Sequence, residues 1–117
     1  MPTKKSASTL RLRLLLGNGR ALGPGKADLL EGIAANGSIA AAGRALSMSY
    51  KRAWQLVEDL NRSFKSPLVR TSKGGGHGGG AELTATGRAV LGLYRAIERK
   101  SQTAAAKELR ALQRLVP

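Results

Sequence analysis

Six side chains within nine residues, Ser47, Ser49, Tyr50, Lys51, Arg52 and Gln55, are of the types that contact duplex DNA. A serine hydroxyl bonds a phosphate oxygen, and Lys and Arg neutralise phosphates. Arg also pairs with a guanine edge and Gln with an adenine edge. Such groups reach base edges from the N-terminal end of a helix lying in the major groove, which is about 12 Å wide. The spacing supplies that helix. Ala53, Trp54, Val57, Leu60 and Phe64 recur at i, i+3, i+4 intervals and predict one buried face from Tyr50 to Phe64. Lys51, Arg52, Gln55, Glu58, Asp59 and Arg62 fall on the other faces. Ser49 is placed to cap the helix, and with the first backbone amides to hold a phosphate at the positive end of the helix dipole.

Other chemistries are poorly supplied. There is no cysteine, which removes disulfides, thiolate metal sites and thiol nucleophiles. A single histidine, His77, leaves no His-rich metal site and no Ser-His-Asp triad. Glu58 and Asp59 are adjacent and point in different directions on a helix, so they form no paired-carboxylate site. Asp28 and Glu31 read as helix-surface charges. The run Gly74 to Gly80 is not followed by Lys-Ser or Lys-Thr, and Gly25-Lys26 lacks the rest of a P-loop. The expectation is therefore no catalytic residues, no metal and no cofactor.

The charge balance agrees with a polyanionic partner. Lys and Arg number 20 against 7 Asp and Glu, a net charge of +13. The excess is spread along the chain, so it names a class of partner and no site. With Trp54 placed in the core, the remaining aromatics (Tyr50, Phe64 and Tyr94) are too few for a platform that stacks single-stranded bases. At 117 residues with 42% hydrophobic content, the chain suffices for one small domain with one core. No apolar run approaches the length of a membrane-spanning helix.

The elements that position the basic helix follow from periodicity and turn residues. Residues 1–9 read as a short basic arm. Leu10 to Leu16 alternates Leu with Arg at Arg11 and Arg13, which predicts a half-buried strand with Leu10, Leu12 and Leu14 inward. The two arginines also interrupt what would otherwise be a signal-peptide core, so the expected location is cytoplasmic. Gly17-Asn18-Gly19 and Gly23-Pro24-Gly25 mark turns. Leu29, Leu30, Ile33 and Ala34 predict a first helix over about 25–36, closed by Asn36-Gly37. Ser38 caps a short second helix over about 39–46 with Ile39, Ala42 and Leu46 on one face. Its alanines and Gly43 permit a close helix approach. Leu68 to Thr71 and Ala81 to Leu83 pair as a loose hairpin. Thr84 then caps a long last helix carrying Val90, Leu93, Tyr94 and Ile97, and continuing past Lys100. Val90, Ile97, Ala104 and Ala111 are spaced by seven, which marks a dimer seam that Ser101 and Glu108 interrupt.

Two helices joined by Ser47-Met48-Ser49 form a helix-turn-helix pattern. At these residues the sequence resembles a known family. Gly37 to Leu46, Met48-Ser49-Tyr50-Lys51-Arg52-Ala53-Trp54, Leu60-Asn61, Leu68-Val69, the run Gly74 to Gly80 and Leu83-Thr84-Ala85-Thr86-Gly87 are similar to the N-terminal DNA-binding domain of ModE molybdate-responsive regulators. That domain is itself similar to the winged-helix module of LysR-type regulators. The resemblance covers about residues 10–98. It implies a recognition helix bearing Ser49, Tyr50, Lys51, Arg52 and Gln55, a wing over Lys73 to Gly80, and a dimer held by the last helix. ModE regulators continue into molybdate-binding domains, whereas this sequence ends at Pro117. The expectation is a stand-alone DNA-binding domain, without an inherited response to molybdate.

The fold expected is mainly α with a small β-hairpin, a winged helix-turn-helix with a long C-terminal helix. Its parts are an arm at 1–9, the winged domain at 10–83 and a dimerisation helix at 84–117. The expected DNA contacts are Ser38, Ser47, Ser49, Tyr50, Lys51, Arg52, Gln55, Arg70, Lys73 and His77. The expected partners are double-stranded DNA and a second copy of the chain. The expected function is sequence-specific transcriptional regulation. The alternative is a sequence-tolerant architectural DNA-binding protein, favoured by the wide spread of charge.

Overall fold

A computed structural model describes residues 9–72 and 80–117. The described elements run β1 (Leu14–Gly17), β2 (Arg20–Leu22), α1 (Pro24–Asn36), α2 (Ile39–Ala45), α3 (Tyr50–Ser63), β3 (Val69–Ser72), β4 (Gly80–Leu83), α4 (Ala85–Ala104) and α5 (Ala106–Gln113). This is a mainly α, winged helix-turn-helix architecture with two antiparallel hairpins.

The N-terminal strand is shorter than its Leu/Arg alternation predicts. Leu10, Leu12 and Leu14 are half-buried, and Arg11 and Arg13 are exposed, as expected. Strand pairing begins only at Leu14, because the preceding backbone is bonded to α4 instead. The Leu10 amide donates to Gln102 Oε1 at 2.9 Å, and the Tyr94 hydroxyl donates to the Leu12 carbonyl at 2.6 Å. Gly17, Asn18 and Gly19 all have positive φ, so the chain reverses tightly into β2.

α1 begins at Pro24 and buries Ala27, Leu29, Leu30 and Ile33; Ala34, expected on that face, is exposed. α2 buries Ile39, Ala42 and Gly43. α3 buries Ala53, Leu56, Val57 and Leu60, with Trp54 and Phe64 packed partly buried against the core. These three helices and the inward residues Leu68, Val69, Ala81 and Leu83 of the second hairpin form one core, to which α4 adds Tyr94. At Gly87 a Cβ would stand 2.1 Å from the Leu68 carbonyl oxygen, so only glycine lets α4 start against that backbone. Thr84 secures the same junction: it caps Gly87 N at 3.0 Å and donates from its hydroxyl to the Pro67 carbonyl at 2.7 Å.

The C-terminal segment departs from the expected unbroken helix. α4 spans 20 residues and stops at Ala104; Ala105 has φ −97 and ψ 5, outside helical geometry, and α5 resumes at Ala106. Three consecutive alanines carry no stop signal, so no local residue type announces the break.

Candidate nucleic-acid interface

The turn between α2 and α3 is shaped by backbone hydrogen bonds. Gly43 O accepts from Leu46 N at 3.1 Å and Met48 N at 2.8 Å, and Arg44 O accepts from Ser47 N at 3.0 Å. Ser47 adopts a left-handed conformation with φ 59, uncommon for a residue with a Cβ. α2 and α3 approach closely: a Cβ at Gly43 would lie 2.9 Å from Ala53 Cβ.

Ser49 caps α3 and accepts from Arg52 N at 3.0 Å. The cap occupies the Arg52 amide, which is therefore not offered to a phosphate; the serine hydroxyl hydrogen remains free to donate. Ser38 does the same for α2, accepting from Ala41 N at 3.1 Å. Tyr50 is 62% exposed. Its ring stands edge-on to Trp54, with centroids 6.1 Å apart. Trp54 thus braces Tyr50 from the core side, and its Nε1 is buried without a hydrogen-bond partner among the described residues. Lys51, Arg52 and Gln55 are exposed. Neither Lys51 nor Arg52 forms an ion pair among the described residues. The first two turns of α3 therefore present Tyr50, Lys51, Arg52 and Gln55 together.

Arg70 lies on β3 and faces Glu82 on β4, to which its guanidinium is bonded at 3.2 Å. Both side chains are well exposed, so the pair is weak and exchangeable for a phosphate. Lys73 and His77, and with them the glycine run between Gly74 and Gly79, lie outside the described residues.

Asn61 joins the second hairpin to α3. Its Oδ1 accepts from Leu68 N at 2.9 Å and Val69 N at 3.0 Å, while Nδ2 donates to Val69 O at 3.2 Å. Lys26 joins α3 to α1 and β2: its ammonium donates to Asp59 Oδ2 and, at 3.2 Å, to the Ala21 carbonyl. That hydrogen bond from Lys26 holds the Asp59 carboxyl below the usual carboxylate range, against the opposing effect of burial. Sequence reasoning assigned no role to Arg13, Arg20 or Lys26 and placed Asp59 and Arg62 only on outer faces of the helix. Arg13, Arg20 and Lys26 lie beside Asp59 and Arg62 of α3 through contacts that no spacing in the sequence signals.

Arg95 on α4 is the other charge centre. It donates to Asp28 at 2.8 Å and Glu31 at 2.9 Å on α1, and to Glu98 at 2.9 Å. Burial opposes its charge, yet the bonds to Asp28, Glu98 and Glu31 outweigh it and raise its pKa further above the ordinary arginine value. On either side of this anchor α4 exposes Leu93 and Ile97, at 66% and 40%.

Among the described residues no group of His, Asp or Glu is arranged to hold a metal ion. No helix of the described residues is long and apolar enough to cross a membrane.

Comparison with known proteins matches the same segment. Residues 26–88 fit the profile of the bacterial regulatory helix-turn-helix proteins of the lysR family. The chain is 41% identical over 86 residues to the molybdenum transport protein ModE of Azotobacter vinelandii, covering 74% of this chain and 32% of that protein. It is 42% identical over 77 residues to the molybdenum-pterin-binding protein MopA of Rhodobacter capsulatus, covering 66% and 29%. With the DNA-binding transcriptional dual regulator ModE of Escherichia coli K12 it shares 38% identity over 71 residues, covering 61% and 27%. The matched part thus spans about a third of the length of these relatives. The matched residues take in α2, the turn, α3 and the second hairpin, and the chain belongs to the lysR family of bacterial regulatory helix-turn-helix proteins.

Proposed function

We propose that this protein is a sequence-specific, double-stranded-DNA-binding transcription regulator that acts as a homodimer. One observation carries the reading: the N-terminal turns of α3 expose Tyr50, Lys51, Arg52 and Gln55, on a helix whose inner face is locked into the core. α3 enters the major groove, Arg52 or Gln55 reads a base edge, and Ser47, Ser49 and Lys51 contact phosphates. Arg70 exchanges Glu82 for the backbone beside the groove, and Ser38 serves at the start of α2. The proposal retains Lys73 and His77 as contacts of the wing.

Dimerisation is assigned to α4, where Leu93 and Ile97 are exposed apolar residues on a helix anchored by Arg95. Because α4 ends at Ala104, the heptad seam is limited to Val90, Ile97 and Ala104, and Ala111 belongs to α5. A two-fold dimer sets two recognition helices about 34 Å apart, one turn of DNA. The family supports a regulator that works in the cytoplasm and catalyses no reaction. The molybdenum in the relatives' names belongs to proteins more than twice as long, of which the matched part spans about a third.

Selection of bound duplexes from a random pool tests the reading. An enriched palindrome is expected; no enrichment would support the architectural alternative. Arg52→Ala should weaken the selected site about 5- to 150-fold, the worth of one bidentate base contact of about 1–3 kcal/mol, and weaken random duplex less. Equal losses on both would reduce Arg52 to a phosphate contact.

A further inference from the structure

The cleft between the first hairpin and α3 holds charge that a helix-turn-helix contact does not use. Arg13, Lys26, Arg52, Gln55 and Asp59 line it. Beyond the hairpin turn it continues to Arg20 and Arg62. Five cations (Arg13, Arg20, Lys26, Arg52, Arg62) therefore converge on one carboxylate, Asp59. Lys26 already occupies that carboxylate. The four arginines have no ion-pair partner among the described residues.

Most described cations lack a carboxylate partner, but those of the cleft are gathered in one place, and the carboxylates are set elsewhere. Arg95 meets three carboxylates and Arg70 meets one. Five of the seven acidic residues are engaged in such pairs, and none but Asp59 is set in the cleft. Like charges gathered without counter-charge repel, and a polyanion lying across them removes the repulsion. The hairpin is also held in place. Lys26 ties β2 to α3 through the Ala21 carbonyl and Asp59, and the Arg13 stem lies over Gly23, where a Cβ would meet Arg13 Cγ at 3.7 Å.

We propose that the β1–β2 hairpin is a second DNA-contacting arm, in which Arg13 and Arg20 bind phosphates of the duplex backbone beside the groove entered by α3. The inference rests on the assignment of α3 as the recognition helix, since Arg52 and Gln55 share the cleft. Arg13 is exposed, and Arg20 is held only by its own turn, through the Asn18 carbonyl at 3.1 Å. Both can be replaced without opening the core.

The test compares the full chain with the Arg13→Gln/Arg20→Gln double variant, titrated by fluorescence anisotropy against one duplex over a range of salt. Each lost phosphate contact lowers the slope of log affinity against log salt by about 0.9, so the double variant should lose about 1.8. Its preference for a selected site over random duplex should stay as in the wild type, because phosphate contacts weaken all sequences alike. An unchanged slope with wild-type thermal melting overturns the proposal. Should the double variant melt lower, Arg20→Gln alone carries the test with an expected change of about 0.9. A wild-type protein that binds duplex without sequence preference would instead sink the reading of α3, while the slope change would still report on the hairpin.

Discussion

Gly43→Ala offers a sharp test of how the recognition helix is held. The new Cβ would lie 2.9 Å from Ala53 Cβ. Both carbons are fixed to backbone, so neither can rotate aside. Carbon atoms in contact prefer about 3.5–4.0 Å, so α2 and α3 would have to part by about 0.6–1.1 Å. Gly92→Ala is the matched control: it is the same chemical change within α4, with nothing within 4 Å of the added carbon. Each substitution gains about 1 kcal/mol of helix propensity. Only Gly43→Ala adds strain from overpacking, about 1–3 kcal/mol. The propensity gain cancels to first order in the comparison, so Gly92→Ala should melt above Gly43→Ala by about 4–24 °C, at about 4–8 °C per kcal/mol for a small domain. Circular dichroism melts of the two variants measure it. Adding Ala53→Gly to Gly43→Ala moves the extra carbon to the other helix and should restore much of the loss, a coupling visible in a double-mutant cycle. Equal melting temperatures for Gly43→Ala and Gly92→Ala would refute the close approach and the argument built on it.

Three further outcomes are expected. Tyr94→Phe removes the hydroxyl that donates to the Leu12 carbonyl and should cost about 1 kcal/mol in a thermal melt. Burial first, and then Glu98, raise the Tyr94 pKa above 10.0. The fold therefore favours the neutral phenol: this contribution is complete below pH 10.0 and fades as pH rises through the higher folded value, so the gap between wild type and variant should narrow there. Leu93→Lys/Ile97→Lys charges the exposed face of α4 and should give a folded monomer in sedimentation velocity; an unchanged dimer would move the interface elsewhere. Ser47→Gly relieves a left-handed conformation at φ 59, a strain of order 1 kcal/mol, and should melt no lower than wild type; a lower melting temperature would show the serine side chain to be part of the turn.

The features legible in the sequence are those whose physics is local. Ser38, Ser49 and Thr84 each accept from the backbone amide three residues on, a relation visible in residue type and spacing alone. The buried faces of α1, α2 and α3 follow from the 3.6-residue period, although α1 turns Ala27 inward rather than Ala34. Strand β2 is only three residues, Arg20–Leu22, too short to show an alternation. The break at Ala105 lies inside an alanine run, where the sequence carries no local signal. The ties that bring charge to the site are long-range: Lys26 to Asp59 spans 33 positions and Arg95 to Asp28 spans 67. No motif links such pairs, so a cleft with four unpaired arginines is visible only after folding.

Those long-range ties share one consequence for α3. Asn61 fixes it to β3, Lys26 and Asp59 fix it to α1 and β2, and Gly43 lets α2 sit against Ala53. Its inner side is thus restrained by four neighbouring elements through three kinds of contact. On the outer side, neither Lys51 nor Arg52 is paired with a carboxylate among the described residues. Binding by such a helix orders a few side chains and little backbone, which keeps the entropic cost of association low. Arg95 extends the same rigidity to α4 through Asp28 and Glu31 on α1. A dimer built on α4 would therefore present its two reading helices at a spacing set by packed elements rather than by a loose linker, and discrimination between half-site spacings follows from that stiffness.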